Sequence, residues 1–99
     1  MKILSWNIQW GRGADGMVTL ERTVSAVRTL GEFDVICLQE VAVAFPALQG
    51  GVPVDGVASI AAAFPDYSVH FASGVDMPDG NGGRSRFGNL TLSRLPVGQ

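Results

Sequence analysis

Two apolar runs in this chain end abruptly in oxygen-bearing side chains. Ile3-Leu4-Ser5-Trp6 runs into Asn7, and Val35-Ile36-Cys37-Leu38 runs into Gln39 and Glu40. A carboxylate behind a buried run loses hydration, which is costly unless a donor, an opposite charge or a cation replaces the water. Mg²⁺ takes oxygen ligands, keeps several waters and is commonly held by only one or two carboxylates, so Glu40 suits it chemically. A strand-end glutamate paired with an arginine or turned to solvent fits the same local sequence. Asn7 offers an amide oxygen to a metal and an NH₂ group to a phosphate or carboxylate. Standing shortly before Gly11, it also reads as a turn former. Gln39 shares this duality and is read as holding the backbone beside Glu40.

Other chemically capable residues have plainer readings. His70 is the only histidine, and nothing in the local sequence supplies the orienting carboxylate that a catalytic histidine needs. The segment Asp76-Met77-Pro78-Asp79-Gly80-Asn81-Gly82-Gly83 misses the spacing of a calcium loop and reads as a solvated turn. Arg84, Arg86 and Arg94 are able to meet phosphate, but solvation on the surface accounts for each of them. Cys37 is the only cysteine, so no internal disulfide forms, and its apolar setting reads as a small buried hydrophobe.

These residues need elements to position them. Residues 2–8 carry β-branched and aromatic side chains without a breaker and read as a strand, followed by the turn-prone Gly11-Arg12-Gly13-Ala14-Asp15-Gly16. Leu20, Val24, Val27 and Leu30 then recur at helical spacing, with Thr19 as a cap and Gly31 as a stop. Asp34 to Val41 is a second strand, apolar on both faces as far as Leu38, as in a covered parallel strand. The Gly- and Pro-rich stretch from Ala42 to Asp55 reads as an irregular connection. A second helix is expected from about Asp55 to Phe64, with Asp55 as cap and Pro65 as terminator. A third strand is expected over Tyr67–Ala72, a flexible segment over Ser73–Arg86, and a fourth strand over Phe87–Leu95, closed by Pro96. In that last strand Leu90 and Leu92 face one way while Asn89, Thr91 and Ser93 face the other.

A helix of crossover length between the first two strands makes them parallel neighbours, so their carboxyl ends share one edge of the sheet. Ligands of open α/β sheets bind at that edge, where Asn7 and Glu40 both end their strands. With 99 residues the chain amounts to about one small domain, burying roughly 60–65% of its unfolded surface. A net charge of −2 leaves no basic footprint for the polyanionic backbone of nucleic acid, although a metal can mediate contact with phosphate. No apolar run approaches the ~20 residues of a membrane span, and the N-terminus lacks the features of a secretory signal. A soluble cytoplasmic protein is expected.

Ser5-Trp6-Asn7-Ile8, then Asp34-Val35-Ile36-Cys37-Leu38-Gln39-Glu40-Val41 after one helix, then Phe87-Gly88-Asn89-Leu90-Thr91-Leu92-Ser93-Arg94-Leu95-Pro96 together resemble the endonuclease/exonuclease/phosphatase family of DNase I-like, metal-dependent phosphohydrolases. The resemblance runs over nearly the whole chain. It implies an α+β fold: the N-terminal half of a four-layer α/β/β/α sandwich, with a mixed sheet and helices on one face. Residues 1–99 would then be a partial domain. The resemblance further implies that Glu40 is a direct ligand of Mg²⁺ (or Mn²⁺), that Asn7 lies in the same site holding metal or phosphate, and that Asn89 begins a strand directed toward it. The implied reaction is attack of water on a phosphate ester, the metal neutralising charge on the phosphoryl oxygens and assisting the leaving oxygen.

Family members are longer. Their second half supplies an Asp-x-Asn motif, a catalytic histidine and an Asp-His pair, none of which follows Leu95; Asp76 and Asp79 lie before the Gly88–Arg94 segment and so do not stand in for them, and His70 matches no catalytic position of the family. The expectation is therefore one part of a phosphohydrolase active site, inactive as the isolated chain. The alternatives are a non-catalytic fragment and a small α/β binding domain that needs a partner chain. A fragment of a sandwich would leave the last strand with unpaired backbone groups and an apolar Leu90/Leu92 face, favouring self-association through the sheet edge. Relatives of this fold cut DNA, RNA, phosphoinositides, sphingomyelin and small phosphoesters, and fold does not choose among these substrates.

Overall fold

The computed structural model describes residues 1–13, 16–45, 49, 54–78 and 82–95. Its elements are β1 (Ile3–Asn7), α1 (Leu20–Leu30), β2 (Val35–Val43), α2 (Gly56–Ala63), β3 (Ser68–Pro78) and β4 (Arg84–Ser93), with a short 3₁₀ turn at Gln9–Gly11. The four strands form one sheet in the order β1-β2-β4-β3. β1 and β2 are parallel, while β4 runs antiparallel to both β2 and β3.

This order explains where the helices go. β1–α1–β2 and β2–α2–β3 each join strands running the same way, and both crossovers step across the sheet in the same direction. Crossovers of one hand then place both helices on one face. Val27 of α1 and Ile60 of α2 are buried with Ile36 and Leu38 of β2 and Leu90 and Leu92 of β4. The strand residues are cross-strand partners, Ile36 opposite Leu92 and Leu38 opposite Leu90, so alternation turns all four toward the helices. The same alternation assigns Ser5, Asn7, Cys37, Gln39, Asn89, Thr91, His70 and Ala72 to the opposite face, which carries no helix. The result is the expected α+β architecture, a mixed sheet with helices on one side.

Local signals hold at the helix ends only in part: Thr19 takes the position before α1, but its side chain makes no capping hydrogen bond. The Asp55 side chain accepts a hydrogen bond from the Ala58 amide at 2.9 Å, an N-cap that satisfies one otherwise unpaired donor. Gly31 adopts φ +132° directly after α1, a conformation that side chains disfavour.

Four expectations are corrected. Ser73–Arg86 was expected to be flexible, yet Ser73–Pro78 lies in β3 and Arg84–Arg86 in β4, because the two strands form a long antiparallel ladder. β4 is not an edge: it inserts between β2 and β3, so the edges are β1 and β3, and the Leu90/Leu92 face is buried under the helices. Leu30 is 60% exposed, since α1 turns Thr23 and Val27 inward instead. Cys37 is half-buried on the helix-free face rather than in the core. Asp79 and the closing Pro96 lie outside the described residues.

Candidate functional site

Asn7 ends β1 and pairs with Gln39 of β2. In the β2–β4 ladder, Leu38 pairs with Leu90 and Val41 with Gly88, so Gln39 and Glu40 together stand opposite Asn89. Two residues against one constitutes a β-bulge, which re-aims side chains relative to the regular alternation. Asn7, Glu40 and Asn89 therefore lie at one level on three adjacent strands, a span of about 10 Å. Sequence spacing placed Asn7 and Glu40 on the same edge. The register adds Asn89, which comes from the far end of the chain.

The backbone is strained at this level. Among the described residues, positive φ outside glycine occurs at Gln9 (47°), Trp10 (50°), Glu40 (58°) and Ala44 (53°), all at or just beyond the row containing Asn7 and Glu40. Each left-handed residue costs roughly 1–2 kcal/mol, and such strain gathers where a site fixes its geometry. The turn after β1 is held by Asn7 itself, whose Oδ1 accepts the Gln9 amide at 3.1 Å. Of the two amide atoms only Oδ1 can accept, so the amide orientation is fixed and the Nδ2 donors face away from the turn. The Ile8 amide donates to the Gln39 carbonyl at 3.1 Å, joining this turn to the bulge.

Glu40 is half-buried, and its carboxylate has no hydrogen-bond or ion-pair partner among the described residues. Gln39 serves as the sequence suggested: its Nε2 donates to Ser5 Oγ at 3.1 Å and to the Cys37 carbonyl at 3.3 Å, tying β2 to β1 beside Glu40. Sequence reasoning missed Gln49, which is 8% exposed. Its Oε1 accepts from the Phe45 and Val54 amides at 2.9 and 3.0 Å. Its Nε2 donates to the Ala42 and Val54 carbonyls at 3.2 and 2.9 Å. One side chain thus braces the exit from β2, and no local pattern marks it, because all its partners are backbone.

The arginines considered for phosphate contact are paired elsewhere. Arg84 Nε lies 2.8 Å from Asp76 Oδ1, and Arg86 Nε lies 3.9 Å from Asp76 Oδ2. Arg94 sits at the opposite end of the sheet, 3.0 Å from Asp34 Oδ1. Asp34 Oδ2 also accepts the Lys2 amide at 2.8 Å. The Lys2 amide and, next, the Arg94 hydrogen bond hold the Asp34 carboxyl below its ordinary range, while Asp34 raises Arg94. His70 is exposed on β3 opposite Thr91. A cleft of about 600 Å³ lies on the helix side, between α1, α2 and Trp10, and contains none of Asn7, Glu40 and Asn89.

The sequence profile of the Endonuclease/Exonuclease/phosphatase family matches residues 4–99. The chain belongs to this family. Its fold is similar to the crystal structure of an endonuclease/exonuclease/phosphatase from Beutenbergia cavernae DSM 12333, with a TM-score of 0.71 and 27% sequence identity. That similarity covers 100% of this chain and 27% of the other, so this chain spans about a quarter of the solved relative's length. No curated protein sequence matches it significantly.

Endonuclease/exonuclease/phosphatase proteins are phosphohydrolases, generally metal-dependent, and the donor set here suits a hard cation. Glu40 supplies a carboxylate without a partner among the described residues, and Asn7 and Asn89, each with an amide oxygen to offer, stand at its level in the sheet. Asn7 Oδ1 keeps a second lone pair beyond the one that takes the Gln9 amide. Among the described residues no three His, Cys, Asp or Glu side chains cluster, and the row of Asn7, Glu40 and Asn89 carries one carboxylate. That is within the range for Mg²⁺, which retains water in its remaining positions.

Proposed function

We propose that this chain forms one wall of the active site of a divalent-metal-dependent phosphoric-ester hydrolase. Residues 1–99 would be a partial domain, inactive without further residues. The observation that carries this reading is the shared level of Asn7, Glu40 and Asn89 on β1, β2 and β4, with Glu40 lacking a partner among the described residues in a left-handed bulge. Glu40 is the residue that would hold Mg²⁺ or Mn²⁺. A bound metal would neutralise phosphoryl charge and ease departure of the leaving oxygen.

The roles of the chain's own groups follow from their geometry. Asn7, whose Oδ1 takes the Gln9 amide and keeps a second lone pair for the metal, has its Nδ2 donors left for a phosphate oxygen. Asn89 adds a second amide on the far side of the bulge. Together they orient a phosphate ester at the sheet edge for attack by water. No described residue beside them serves as a general base, which is why this wall binds and positions without completing catalysis. The substrate is a phosphate ester; the net charge of −2 gives no support to tight nucleic-acid binding by this part. No described helix is long and apolar enough to cross a membrane. The same reading places the chain in the cytoplasm, where the free Cys37 stays reduced.

The test is hydrolysis of a generic phosphodiester by the 99-residue chain and by a longer product containing it, with Mg²⁺ and with chelator. Chelator-sensitive turnover by the longer product alone, lost in Glu40→Gln, is the expected result. Turnover by the short chain would refute the partial-site reading, and a fully active Glu40→Gln would refute the metal role.

A further inference from the structure

Gly88 immediately precedes Asn89 in β4 and pairs with Val41 on one side and Ser73 on the other. A Cβ placed there would lie 2.1 Å from the Ala72 carbonyl oxygen, 2.8 Å from Ser73 Cα and 3.0 Å from the Ala72 carbonyl carbon. All three are backbone atoms of β3 and cannot rotate aside. Both neighbours of β4 are irregular at this point. The β2 register breaks between Leu38 and Val41, and the β3 register breaks between Ser73 and Val75. The two irregularities flank Gly88, the β2 bulge standing opposite Asn89 and the β3 bulge at the step from Gly88 to Phe87, and the β2 bulge is the one that contains Glu40 at φ +58°.

We infer that Gly88 is a positioning residue: its missing side chain lets β3 close onto β4 and so sets the level of Asn89 against the Glu40 bulge. The inference rests on the proposed metal role of Glu40 for its functional consequence, but not for its geometry. A methyl group at Gly88 wedges β3 away from β4, and the displacement passes to Asn89 and across the Val41 pair to Glu40. Gly74, the extra residue of the β3 bulge, is a natural control, because its nearest contact would be the Phe87 carbonyl oxygen at an ordinary 3.7 Å.

The experiment compares Gly88→Ala and Gly74→Ala with wild type and Glu40→Gln, by two readouts. One is the backbone chemical shift of Glu40 and Asn89, with Asp34 and Arg94 as a distant reference. The other is Mn²⁺ affinity, followed by paramagnetic broadening. In Gly88→Ala the Glu40 signal leaves its left-handed value and Mn²⁺ binds about tenfold or more weakly, while Asp34 and Arg94 keep their shifts. Gly74→Ala changes neither readout. Wild-type Glu40 shifts and affinity in Gly88→Ala, or equal losses in both alanine variants, overturn the inference. If wild type and Glu40→Gln both fail to bind Mn²⁺, the metal reading falls and the Glu40 shift alone decides the role of Gly88. Where Gly88→Ala is too unstable to assign, the double variant with Ala72→Gly, which loosens the opposing strand, is read by the same two criteria.

Discussion

At the amino ends of β1 and β2, Asp34 accepts from the Lys2 amide and the Arg94 guanidinium, and its own carbonyl accepts the Arg94 amide at 3.0 Å. Nearby, the Tyr67 hydroxyl donates to the Phe33 carbonyl. At the carboxyl ends of the same strands, Glu40 has no partner among the described residues, and the backbone around it is left-handed at four positions. One carboxylate is closed into a clamp and the other is held open. Both belong to the same sequence motif, Asp34 to Val41, only six residues apart. The two ends of the motif therefore differ: its first residue fastens three strands together, and the Glu40 carboxylate, without a partner among the described residues, stands at the opposite rim.

The contrast is open to direct attack. The largest effect should come from the core that both ends share. Leu38→Ala removes a fully buried side chain and should cost about 3 kcal/mol in urea denaturation. It should also disturb both rims together, which amide hydrogen exchange at Asp34 and Glu40 would report. Glu40→Gln should separate the rims. It should lower phosphodiesterase turnover of a longer, active product by about 100-fold or more while leaving the denaturation midpoint nearly unchanged. A large loss of stability in that variant would mean that Glu40 is a structural group after all.

Glu40→Gly goes further, because it relieves the left-handed backbone. The expected outcome is a protein roughly 0.5–1 kcal/mol more stable and without activity, a trade in which stability rises as function is lost. Asp34→Asn is the mirror experiment and should have the smallest effect, since the clamp is exposed to solvent. Because the folded Asp34 pKa is depressed, its contribution is present above the ordinary carboxylate value and fades as pH falls through the folded value. Wild type should therefore lose stability below about pH 4, while Asp34→Asn loses less over that window and keeps its turnover. Equal acid sensitivity in the two proteins would show that the clamp does not govern this rim.

The sequence by itself determined the pieces that depend on near neighbours. Apolar spacing and capping residues located α1 and α2, a crossover-length helix made β1 and β2 parallel, and two interrupted apolar runs put Asn7 and Glu40 at one edge. Those inferences need only the helical period, the strand period and the cost of burying a carboxylate. Tertiary structure decided what depends on residues far apart in the chain. It inserted β4 between β2 and β3, paired Ser73–Pro78 with the start of β4 where flexibility was expected, and enclosed Gln49 in backbone hydrogen bonds. It also opened the bulge that sets Asn89 against Glu40. A bulge arises from the mismatch between two paired strands, and Gly88 has meaning only because the Ala72 carbonyl occupies the space a side chain would fill. Neither can be read from the strand that carries it, since the deciding atoms belong to the strand beside it.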